Sequence, residues 1–183
     1  MRIATLRFIG GLLTSWLGLF WNLFAKANGL AKNERIAMAG IARKYWTLLA
    51  IAAARGRTLS PVQLQKSLFL LGQQMPKEVG DEFYNFAPYN YGPFDSSIYA
   101  DATDLATEGL IAITPASGQN WKKYSITTTG IESAKEVSNR VPNLAAQHLD
   151  ALVTWVKSVS FQDLLKTVYA KYPQFATKSV FRG

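Results

Sequence analysis

A single histidine and no cysteine narrow the chemistry open to this chain of 183 residues. Without thiols there is no disulfide, no thiolate nucleophile and no sulfur-bound metal, and the absence fits a reducing compartment. His148 lies in a C-terminal helical pattern beside Gln147 and near Asp150, with no nucleophile spaced to complete a triad. It reads as a solvated side chain. Glu78, Asp81 and Glu82 form an acidic cluster that resembles a metal site in composition, but the spacing suits a solvated turn better. Phosphate-binding loops and dinucleotide fingerprints are missing, since Gly10 and Gly11 fall inside an apolar run. The expectation is therefore a protein that binds rather than catalyses, with no metal and no cofactor.

Two kinds of binding chemistry remain, and the charge map weighs them. The net charge of +8 invites a nucleic-acid reading. Residues 1–57 hold nine bases against the lone acid Glu34, whereas residues 58–183 hold eleven of each, so the excess belongs to the N-terminal third. Arg55, Arg57, Lys66, Trp121, Lys122 and Lys123 are the candidate contacts for nucleic acid, and the patch is small. A segment around residues 95–108 carries Asp95, Asp101, Asp104 and Glu108 without a base, which opposes phosphate. Protein binding suits this balance better. Phe83, Tyr84 and Tyr89 supply the ring types that dominate interface hot spots, and Asp101, Asp104 and Glu108 offer a surface for a basic partner such as a toxin. The same rings suit a buried core equally well.

The elements that must position these residues are legible in part. Residues 45–54 are an apolar run of helix formers closed by Arg55, Gly56 and Arg57, with Gly56 as C-cap. Ser60 and Pro61 start a second helix over 61–74, where Leu64, Leu68, Leu71 and Met75 recur at helical spacing. Between Pro76 and Pro93 the aromatics and prolines predict an ordered loop with at most one short strand. Asp95 caps a third helix whose face is Ile98, Ala102 and Leu105, and Gly109 ends it in the left-handed conformation with Leu110 beyond. Residues 110–114 and 121–127 predict a β-hairpin around the turn residues 115–120. Three helices followed by a hairpin is the order of a winged helix. Further helices are expected from Gly130 towards Pro142, over 144–157 and over 160–172. The predicted class is α+β, mainly α: a winged-helix-like core, C-terminal helices and an extra N-terminal apolar helix.

That extra element is the uncharged stretch 8–24, FIGGLLTSWLGLFWNLF, preceded by Arg2 and Arg7. As a helix it reaches about 25 Å, just short of a hydrocarbon core. Four readings stay open: a membrane anchor or interfacial helix with the body in the cytoplasm, a secretory signal, an over-extended start ahead of Met38, or a helix packed on the domain. The domain division is accordingly 1–37 and 38–183. The body is expected in the cytoplasm, associated with the inner membrane if the segment anchors it.

Several stretches of the body together resemble a known family. SPVQLQKSLFLLG, YNYGPFDSSIYADATDLATEGLI and KKYSITTTG, in this order and spacing, are similar to the Panacea (SocA-like antitoxin) domain and its YwgA-like relatives. The resemblance covers roughly residues 45–137. It implies a winged-helix core of bacterial or phage origin that acts as an antitoxin or adaptor on a partner protein, with a winged-helix transcriptional regulator, or a membrane-tethered form of either, as the alternatives. Within the motif, Tyr91, Gly92, Pro93 and Phe94 read as a tight turn aiming the third helix, with Gly92 allowing close backbone approach.

Overall fold

A computed structural model describes residues 41–182. The N-terminal segment 1–37, with its anchor and alternative-start readings, lies outside the described residues. Among those described, no helix is long and apolar enough to cross a membrane.

The architecture is mainly helical with two small hairpins. Helix α1 (Lys44–Ala52) and helix α2 (Pro61–Gln74) are followed by a single helical turn, Pro76–Val79. Strands β1 (Ala87–Tyr89) and β2 (Gly92–Phe94) then lead to helix α3 (Ser97–Thr107). The wing is β3 (Ile111–Pro115) with β4 (Lys122–Ile126). Helices α4 (Thr128–Ser138), α5 (Asn143–Ser158) and α6 (Phe161–Lys171) and a 3-10 turn, Pro173–Ala176, complete the chain. Three helices before a hairpin, with an antiparallel bridge from Leu59 to Tyr124 adding a short third edge to the wing, give the winged-helix order.

The local chemistry explains the boundaries. Ser60 Oγ accepts from Gln63 N at 3.2 Å while Gln63 Oε1 accepts from Ser60 N at 3.0 Å, a complete capping box ahead of Pro61. Helix α3 ends as expected: Gly109 has φ 75°, and the amides of Gly109 and Leu110 bond back to Ala106 O and Leu105 O. That is the paired pattern of a glycine C-cap. Asp95 provides the cap chemistry at the other end, accepting from Ser97 N at 2.8 Å, although the helix begins two residues later. Helix α1 stops earlier than its apolar run, because Arg55 and Gly56 both adopt positive φ, at 51° and 75°.

Residues 76–94 depart from the expectation of a loop. Pro76 opens a helical turn, and β1 pairs with β2 in the register Ala87↔Phe94, Pro88↔Pro93, Tyr89↔Gly92. The two prolines face each other, so both missing N–H donors fall at one rung and the hairpin survives. Gly92, Pro93 and Phe94 are therefore strand residues, and the turn lies one step earlier, at Asn90 and Tyr91. Gly92 still needs its freedom: its φ is 87°, and a Cβ there would come 2.8 Å from Tyr169 Cε1.

The core lies where these elements meet. Helix α2 packs on α5, and α1 on α3 and α4. Trp46, Leu48 and Ile51 meet Leu64, Leu68 and Leu71, with Ile98 and Leu105 from α3 and Leu149, Val153 and Val156 from α5, all buried. Removing that apolar surface from water, about 25 cal/mol per Å², holds the helices together. Beneath α2, Phe69 meets Phe86, Tyr172 and Phe175 edge-on at 5.3, 5.0 and 4.8 Å, which closes the C-terminal turn against the helix.

Candidate functional site

The start of α2 and the β1–β2 hairpin form the floor and wall of a cleft of about 670 Å³. The first two turns of α2 bring Pro61, Gln63 and Lys66 to its floor, and the hairpin contributes Tyr89, Tyr91 and Gly92. Tyr99 of α3, Trp121 of the wing and Phe161 at the start of α6 close the remaining sides. Gln65 locks floor to wall: its Nε2 donates to Asp95 O at 2.8 Å, and its Oε1 accepts from Asp95 N at 3.0 Å.

The walls are aromatic. Tyr89 meets Phe94 at 4.8 Å between ring centroids, Phe94 meets Tyr99 at 5.7 Å, and Tyr99 stacks on Tyr124 at 6.3 Å. On the other side Tyr91 abuts Phe161 edge-on at 5.5 Å. Tyr89, Tyr91, Trp121 and Phe161 remain exposed, at 50, 44, 38 and 45%. Four large apolar side chains, from the β1–β2 hairpin, the start of α6 and the wing turn, thus face solvent around one opening.

Among the described residues, Lys66 is the single formally charged one lining this cleft, and no carboxylate lines it. The lysine is 2% exposed. Its Nζ donates to Pro93 O at 2.9 Å, its one partner among the described residues. An ammonium has three donors and a full charge to satisfy, and one carbonyl meets only part of that need. Desolvation accordingly pushes the amine down to about 7.

Of the residues expected to bind nucleic acid, Lys66 and Trp121 line the cleft together, and the four other bases stand outside it. Lys66 is buried at the floor of the cleft rather than set on an exposed basic surface. Arg55 pairs with Asp150 at 2.7 Å, and Arg57 is exposed two residues before the Leu59 bridge to the wing strand. Trp121 and Lys122 are exposed and Lys123 half-buried, leaving a wing with little else basic beside it. On α3 the exposed acids are Asp104 and Glu108, the latter paired with Lys44.

The expected protein interface divides in the same way. Tyr89 is exposed and belongs to the cleft. Phe83 packs edge-on to Trp46 at 6.3 Å, and Tyr84 is buried. Asp101 is buried too, so neither it nor Tyr84 is an interface residue. Instead, Asp101 accepts from Arg43 Nε at 2.9 Å and from Tyr84 OH at 2.8 Å, while Thr47 Oγ1 lies 2.7 Å from the same phenol. Desolvation raises the Tyr84 phenol far above its ordinary value. The network ties α1 to α3 and is structural. His148 is likewise structural, its Nε2 lying 2.7 Å from Gln74 Oε1. Among the described residues no group of three or more His, Asp or Glu side chains could hold a metal ion.

Sequence reasoning missed the roles of Lys66, Tyr91 and Phe161. One signal was available: Lys66 is the only charge in the fourteen residues of α2, on a helix that is otherwise largely apolar. Phe161 had no comparable signal. Fold and site together define a mainly helical α+β domain of winged-helix order that carries an aromatic cleft over a buried lysine. The chain matches no protein-family model and no curated protein.

Proposed function

We propose that this chain is a non-enzymatic protein-interaction module of the Panacea-like kind, an antitoxin or adaptor of bacterial or phage origin that works in the cytoplasm. It holds its partner at the aromatic cleft. The observation that carries this reading is the ring of exposed Tyr89, Tyr91, Trp121 and Phe161 around one opening. Exposed tyrosine and tryptophan gathered at a concave site are the side chains that contribute most when a partner covers them. The lack of any basic side chain on α3, where Asp104 is exposed, supports a protein partner over DNA.

The test is co-expression with the products of the adjacent genes. The wild-type chain should restore growth against a toxic neighbour, and the combined variant Tyr89→Ala, Trp121→Ala, Phe161→Ala should lose that protection while keeping the wild-type melting temperature and circular dichroism. Protection that survives the triple substitution, or neighbours with no toxicity, would sink the reading.

A further inference from the structure

We infer that the group this cleft receives is a single carboxylate on a peptide segment of the partner, set against the Lys66 ammonium and flanked by an apolar side chain held among Tyr89, Tyr91 and Phe161. The inference rests on the partner-binding reading and adds the chemistry that the partner must present.

Charge complementarity selects an anion. Among the described residues Lys66 has no acidic neighbour along the cleft, and Pro93 O takes one of its three N–H donors. A buried charge without a counter-charge is costly, and a ligand that supplies one is bound in proportion to the cost it removes. Burial without that partner already lowers the amine to about 7, and a carboxylate beside it would restore the proton.

The count of charges selects a carboxylate. One ammonium balances one negative charge, whereas a phosphate monoester of charge near −2 would leave an uncompensated charge among aromatic walls, and a phosphodiester brings a polar backbone in place of an apolar neighbour. The remaining lining is amide, phenol and hydrocarbon, which suits an apolar group next to the acid. The arrangement of the rim selects a peptide as its source. A small acid would reach the floor and leave the outer rings uncovered, while a chain leading outward from the floor covers the exposed rings of Tyr91, Trp121 and Phe161 as well.

Calorimetric titration of the full chain tests this with four probes. These are acetyl-Leu-Phe with a free C-terminal carboxylate, the same dipeptide as its amide, acetyl-Glu-Phe amide, and phenylacetate. The free acid or the glutamyl probe should bind at least about tenfold more tightly than the neutral amide, and this preference should vanish in Lys66→Met. Whichever of the two acids binds more tightly identifies a C-terminal or a side-chain carboxylate as the source. Because the comparison of acid with amide is made on the wild-type protein, it holds even if Lys66→Met fails to fold.

Equal binding of acid and amide, no binding of any probe, or a preference unchanged in a folded Lys66→Met would overturn the carboxylate assignment. Phenylacetate binding as tightly as the peptides would overturn the peptide source. In each of these cases, loss of growth protection in the cleft triple variant would leave the partner-binding reading standing.

Discussion

Replacing Lys66 by methionine measures the electrostatics of the cleft floor without any partner. The two side chains are close in length and volume, so the substitution mainly deletes the charge. In the unfolded chain the amine titrates near 10.5, and in the folded protein near 7. Between these values the unfolded state carries a proton that the folded state has lost, so the free energy of unfolding rises with pH. The slope is about 1.4 kcal/mol per pH unit, and the rise from pH 7 to 10.5 totals about 5 kcal/mol as a ceiling. Water entering the site reduces that total.

Below pH 7 both states are charged, and the penalty is constant. Methionine removes the dependence but leaves Pro93 O unpaired, a cost of about 1–3 kcal/mol that does not vary with pH. Urea unfolding of both proteins, followed by circular dichroism from pH 6 to 10, gives the difference curve in which all other titrating groups cancel. Wild-type stability relative to Lys66→Met should be flat below pH 7 and climb above it. A difference that stays flat across the whole range would show that Lys66 keeps its charge in the folded state and would refute the account of the site.

Two further substitutions test the frame around the cleft. Tyr84→Phe removes the phenol that bonds Asp101 and Thr47 in the interior, so it should lower stability by about 1–3 kcal/mol with little change in helix content, measured by chemical denaturation. Gly130→Ala places a Cβ inside the van der Waals radius of Leu110 O, a backbone atom that cannot step aside. It should cost about 3 kcal/mol or more, read as a large drop in melting temperature or a failure to fold.

The ends of elements were the most legible features in the sequence, because caps are local. Ser60 with Pro61, Gly109 with Leu110 and Ser160 each mark a boundary within a residue or two, and the turn residues 115–120 announce the wing. Burial was harder to read. Asp101 lies on the stripe of Ile98, Ala102 and Leu105, a position that spacing alone places towards the core, yet its acidity suggested a surface. Tyr84 and Tyr89 stand five residues apart in one aromatic segment, and one is buried while the other is exposed. No periodicity separates them, since Tyr89 is carried outward by the β1–β2 hairpin and Tyr84 lies before it. Lys66 is buried because Pro93 O, twenty-seven residues away, reaches it. The cleft is assembled by such non-local contacts, from α2 to the start of α6.

Thr127 holds the junction between the wing and the C-terminal helices. Its hydroxyl donates to Gly109 O at 2.7 Å and accepts from Gly130 N at 3.0 Å, while its amide bonds Leu110 O at 3.1 Å. The carbonyl end of α3 therefore faces the amide end of α4, and the opposite partial charges of two helix termini are brought side by side. One small side chain thus acts as a rivet between two helices that are separated in sequence by the whole hairpin. Helix α3, the wing and α4 are coupled mechanically. The base of the wing is thereby pinned to the helices on both sides of it.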